Sequence, residues 1–99
     1  MKRNFNRPVM NYSGKPLIGE DKKQQSMGNL IAMQLYSVGI NDGATPEKKL
    51  QAYKLLNKLA GADKEIEITT EEGALIKEVA GRVFAAGLYG QIYDFIENG

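Results

Sequence analysis

The sequence predicts a mainly α protein, a compact bundle of about four helices behind an N-terminal β-hairpin or extended arm. Three observations carry this. Apolar residues recur at helical spacing in separate stretches from Met27 onward. Start and stop residues of the right kinds bracket those stretches. The last stretch moves its apolar stripe to a new face midway, which divides it into two helices.

The first stretch opens at Ser26, a preferred N-cap residue. Met27, Leu30, Ile31, Leu35 and Val38 come after it at helical spacing, and Met33 and Tyr36 widen the stripe. Gly39 and the Asn41-Asp42-Gly43 cluster end it. The second begins at Thr45 as cap, with Pro46 at the first helical position and Glu47 near the positive end of the helix dipole. Leu50, Tyr53, Leu56 and Leu59 are read as one stripe that Leu55 broadens, and Gly61 as the stop. Ile66 and Ile68 alternate with Glu65 and Glu67, the pattern of a very short strand or connector. Thr69 and Glu72 then stand at capping-box spacing.

The stretch after Thr69 divides on the angles of its apolar residues. With Ile76 at zero and an advance of roughly 100° per residue, Val79, Ala80, Val83 and Phe84 fall within roughly 80° of zero. Leu88, Ile92, Phe95 and Ile96 fall at roughly 100° to 200°. Two helices, about 70–84 and 88–97, let each segment bury its own stripe. Ala85-Ala86-Gly87 is the expected corner, and Gly90 is expected to admit a neighbouring helix. The first residues lack helical period. Val9-Met10-Asn11-Tyr12 and Lys15-Pro16-Leu17-Ile18 flank Ser13-Gly14, a turn pair. Pro8 and Pro16 belong at strand starts or on an edge, and Glu20 to Gln25 reads as a polar link. The organisation is residues 1–25 as arm and linker and 26–99 as helical domain, together one globular unit.

Composition narrows the chemistry. With 99 residues the chain builds one small core. It has no histidine and no cysteine, so histidine triads, thiolate nucleophiles and His- or Cys-based zinc sites are excluded. No apolar run reaches the roughly 18 residues of a membrane span, and the basic start has no apolar segment behind it, so the expected location is cytoplasmic, with no membrane partner. Gly14-Lys15 lacks the upstream glycine and subsequent Ser or Thr of a phosphate loop. Counted from Asp63, the EF-hand positions six and twelve hold Ile68 and Ala74, so the acidic run is a helix start and not a calcium loop. Glu71 and Glu72 show no sign of forming an acid/base couple. The expectation is therefore no enzyme, no cofactor, no metal and no catalytic residue.

Charge is uneven. Residues 1–25 hold six cations against two acids, 45–64 five lysines against two acids, and 65–99 seven acids against Lys77 and Arg82. Such a layout reads first as a set of solvated faces and alternatively as a means of steering a partner or a second copy of the chain, so a homo-oligomer is open. Lys2, Arg3, Arg7 and Lys15, with Phe5 and Tyr12 between them, form a candidate nucleic-acid surface. The overall pI of about 7.9 is low for a dedicated binder, so another protein is the preferred partner. Its candidate contacts are Tyr89, Tyr93 and Gln91 of the last helix with Phe5 and Tyr12 of the arm, tyrosine being enriched at interfaces. Tyr89 and Tyr93 serve equally well as rim of the core, and that alternative stays open.

From "LLNKLAGADKEIEITTEEGALIKEVAGRVFAAGLYGQIYDFIE", with "YSGKPL" and "MGNLIAMQL" upstream, the chain resembles a group of small phage and prophage proteins over most of residues 5–97. Glu72 with Leu75-Ile76-Lys77, and Gly90-Gln91, carry the resemblance most specifically. Ala85-Ala86-Gly87 stands where the group has a proline-bearing segment, a departure that bears on the corner. The resemblance implies a phage-encoded accessory protein acting in the cytoplasm of a bacterial host. It transfers no catalytic residue. Adaptor or chaperone-like work in virion assembly ranks above inhibition of a host or defence enzyme, with a phage structural protein or a host factor as partner.

Overall fold

The computed structural model describes residues 1–19, 22–60 and 62–98. Its elements run β1 (Lys2–Arg3), α1 (Met27–Tyr36), α2 (Pro46–Leu59), β2 (Ile66–Glu67), α3 (Thr70–Val83) and α4 (Ala86–Asn98). α1 packs chiefly on α2 and also on α3, and α3 packs on α4.

Local chemistry sets the boundaries. Ser26, Thr45 and Thr69 are extended N-caps whose side chains accept from Asn29 N, Lys48 N and Glu72 N. At α3 the capping box is complete, since Glu72 Oε1 accepts from Thr69 N at 2.9 Å. α1 ends two residues before the expected Val38. Ser37 caps it, and the chain then turns through Gly39, Asn41 and Gly43, all at positive φ. Asp42 holds that turn by accepting from Gly39 N and Ala44 N, and Arg82 of α3 adds an ion pair at 3.2 Å. The Gly39 and Ala44 amides, foremost, hold the Asp42 carboxyl below its ordinary pKa. α2 closes at Leu59, and the expected stop at Gly61 lies outside the described residues.

The two-helix reading of the C-terminal stretch is correct, with a shifted corner. Phe84 is the extended C-cap of α3, and α4 already begins at Ala86. Gly87 therefore lies inside α4 and is not the break. A Cβ at Gly90 would meet nothing within 4 Å, so no helix packs there. The close approach is instead at Gly81, where a Cβ would lie 3.2 Å from the Tyr89 ring.

The arm is a built part of the core. Its hairpin turns where expected, with Asn11 N donating to Lys15 O at 2.8 Å and Gly14 at φ +79°. A second turn comes next, in which Lys22 donates to Gly19 O and Gly19 to Lys23 O. The three passes are then tied in a ring. Leu17 N donates to Val9 O at 2.8 Å, Gln25 N to Leu17 O at 3.1 Å, and Val9 N to Gln25 O at 3.4 Å. The ordered ladder is not this hairpin but β1 against β2, antiparallel, with Lys2 opposite Glu67 and Arg3 opposite Ile66.

One core cluster joins arm and helices: Phe5 and Val9 with Met27, Ile31, Leu35, Leu55, Leu59, Ile68, Ile76, Ile92 and their neighbours. Phe5 is 1% exposed and meets Phe95 edge-to-face at 5.0 Å. The expected α2 stripe needs correction. Ala52, Leu55 and Leu59 are buried and Leu56 is half-buried, whereas Leu50 and Tyr53 face solvent. Met33 and Tyr36 of α1 do the same.

Candidate functional site: an uncharged helix face left uncovered

The residues expected to bind a partner do not form one surface. Phe5 lies in the core, so its reading as a contact residue, or as a ring for stacking bases, is overturned by burial. Gln91 is spent internally. Its Oε1 accepts from Met10 N at 2.7 Å, and its Nε2 donates to Met10 O at 2.8 Å and Gly87 O at 3.0 Å. A single side chain thus closes the hairpin edge as a neighbouring strand would. Tyr12 is fully exposed at the hairpin. Tyr89 is half-buried over Gly81, a rim of the α3–α4 contact. Tyr93 tilts against it at 6.0 Å and is 42% exposed, with the Lys77 ammonium 5.1 Å above its ring. Lys77 also pairs with Glu97, which raises its pKa.

The basic residues of the arm divide similarly. Lys2, Arg3 and Arg7 line one cleft of about 330 Å³ with Asn4, Asn6, Glu65 and Phe95, and Lys15 is not part of it. Arg3 is committed, since its Nε donates to Phe95 O at 3.0 Å and its Nη2 to Ile96 O at 3.4 Å. These are carbonyls of the last turn of α4, which favour a cation. Arg7 lies over the Phe95 ring at 4.7 Å. Among the described residues no polar or charged side chain is buried, and no three acids converge.

The surface that stands out is one the stripe reading assigned to the core. α1, MGNLIAMQLY, has no charged residue. A helix apolar nearly all round is normally buried all round. Here Ile31, Ala32 and Leu35 are buried, but Tyr36 is 80% exposed and Met33 56%. The exposure continues past the helix end to Ile40, at 68%, and onto α2, where Leu50 and Tyr53 are each more than half exposed. α1 packs on α2, and one contact between the turn and α2 lies near these residues. A Cβ on Gly39 would lie 2.6 Å from Lys49 Cε, so the lysine stem crosses the turn beside Ile40. Lys49 thereby links the α2 residues Leu50 and Tyr53 to the end of α1. The absence of charge in α1 was the available signal. A stripe that takes in every apolar residue of the helix hides it.

Comparison with known proteins adds no further constraint: no family model, no curated protein and no solved structure matches the chain.

Proposed function

We propose that the protein acts without catalysis, by binding another protein through the outward face of α1 and α2. One observation carries this reading: α1 has no charge, yet Met33, Tyr36 and the nearby Ile40 stand in solvent, as do Leu50 and Tyr53 of α2, the helix that α1 packs on. Exposed apolar groups of this size, gathered on one helix pair, mark an interaction surface. The two tyrosines are rigid, amphipathic contact residues that stay soluble when the partner is absent. Adaptor or chaperone-like work in virion assembly, or inhibition of a host enzyme, are the two uses that the resemblance to phage accessory proteins suggests.

A tagged wild-type chain and a Tyr36→Ser/Tyr53→Ser variant are used to capture proteins from infected and uninfected bacterial lysates, with and without nuclease. The expected result is a protein retained by wild type, resistant to nuclease and lost with the variant. Capture unchanged in the variant overturns the reading. Capture that vanishes with nuclease, and with Lys2→Ala/Arg7→Ala, favours instead nucleic acid held in the cleft between Lys2 and Arg7.

A further inference from the structure

The same face also specifies the chemistry of its occupant, an inference that rests on the α1–α2 face being a docking surface. α1 supplies no charge, so the charged residues nearest these side chains in sequence are those of α2 and the turn before it. Two of the four α2 lysines are neutralised from within: Lys48 pairs with Glu78 at 2.8 Å, and Lys58 with Glu72 at 2.8 Å, both across to α3. Asp42 is matched by Arg82. Lys49 and Lys54 have no carboxylate partner among the described residues. They flank Leu50 and Tyr53 in sequence, and the Lys49 stem lies on the turn beside Ile40. Glu47 is the remaining acid, and it sits in the first turn of α2 where the helix dipole favours it.

We infer that the occupant is an acidic amphipathic helix of another protein, its apolar stripe on Tyr36, Ile40, Leu50 and Tyr53 and its carboxylates on Lys49 and Lys54. An amphipathic helix carries such a stripe on one face and charge beside it. Opposite charges at the rim select among partners and speed encounter. A second copy of the chain, docked by the same face about a two-fold axis, would bring these lysines against each other, a repulsion that disfavours self-pairing.

The test uses the whole chain and two synthetic helical peptides with the same leucine stripe, one flanked by glutamates and the other by lysines. Binding is monitored by titration and by amide shifts at Met33, Tyr36, Ile40, Leu50 and Tyr53. The glutamate peptide is expected to bind about tenfold or more tightly than the lysine peptide, with the gap shrinking as salt rises. Lys49→Glu/Lys54→Glu reverses the preference while leaving the melting temperature unchanged, since neither lysine holds an ion pair. Equal binding of both peptides, binding of neither, shifts confined to another surface, or a self-association that buries these residues before peptide is added each overturn the inference. If the peptides fail but Tyr36→Ser/Tyr53→Ser still abolishes lysate capture, protein binding stands and only the acidic partner falls.

Discussion

The N-terminal arm and the α1–α2 face invert the usual association of regular structure with burial. The arm has two residues of strand, yet two of its side chains lie in the core and its backbone bonds to distant parts of the chain. Phe5 and Val9 enter the core, and Phe5 O and Arg7 O accept from Gly28 N and Met27 N, the first amides of α1. Those amides have no partner within their own helix, so the arm serves as an extended cap. α1 and α2 are regular helices with satisfied ends, yet one side of each is apolar and uncovered. Backbone satisfaction and side-chain burial are separate requirements. At Phe5 and Val9 the arm meets both within the chain, whereas Tyr36 and Tyr53 belong to helices that meet only the first.

The largest effect expected from breaking this contrast is at Phe5. Phe5→Ala removes a ring that packs on Phe95 and should cost about 3–5 kcal/mol. For a domain whose whole stability is on the order of 5–15 kcal/mol, that leaves little margin. Urea unfolding measures it, and a loss below about 1 kcal/mol would mean the arm is dispensable, as a free tail would be.

Gly28 comes next. A Cβ there would stand 2.9 Å from Phe5 Cβ and 3.3 Å from Phe5 O. In most helices glycine to alanine is stabilising, because alanine has the higher propensity. Here Gly28→Ala should reverse that sign and cost about 1–3 kcal/mol, since backbone must move to admit the methyl. Gly90→Ala is the matched control, with open space at its Cβ and the ordinary gain expected. The two melting temperatures should move in opposite directions.

Gln91 sharpens the comparison locally. Gln91→Ala removes three hydrogen bonds but strands no buried group, because Met10 is itself exposed. A loss of about 1 kcal/mol is expected, with faster amide exchange confined to Met10 and its hairpin. Exchange that quickens across α1 as well would show that this bracket holds the whole arm and not only its edge.

Asp42 gives the acid dependence of the α1–α2 turn. Its folded pKa is depressed, so its contribution is complete above the ordinary carboxylate value and is lost as pH falls through the folded one. Asp42→Asn should remove that part of the acid-side decline in stability, visible below roughly pH 4. An unchanged slope in that range would place the acid sensitivity elsewhere.

How much of this was legible in the sequence differs between the two regions. The caps at Ser26, Thr45 and Thr69, the short strand at Ile66 and the division between α3 and α4 come from local chemistry, and each is in place. The arm's role was hidden because its partners are distant in the chain: Gly28 gives no sign that Phe5 lies against it, and Gln91 none that it faces Met10. The α2 face was obscured for another reason. With Ala52 at zero, Leu55, Leu56 and Leu59 fall within roughly 60°, while Tyr53 stands at roughly 100° and Leu50 at roughly 160°. Two apolar faces are present, and the smaller residue, alanine, marks the buried one. Leu55, Leu56 and Leu59 give that face the greater hydropathy, and joining Leu50 and Tyr53 to their stripe merges two faces into one.

The smallest expected change in stability therefore carries the most functional content. Tyr36→Ser with Tyr53→Ser removes two large rings, and in a core such changes would cost several kcal/mol. Both rings already stand mostly in water, so little apolar area returns to solvent on truncation. The fold should lose no more than about 0.5 kcal/mol at either position. It should also become more soluble, because exposed aromatic surface promotes association. A loss of several kcal/mol would mean that these rings pack within the chain, and the uncovered face would cease to exist as a docking surface. A near-zero change, together with loss of partner capture, would separate what holds this protein together from what it offers to others.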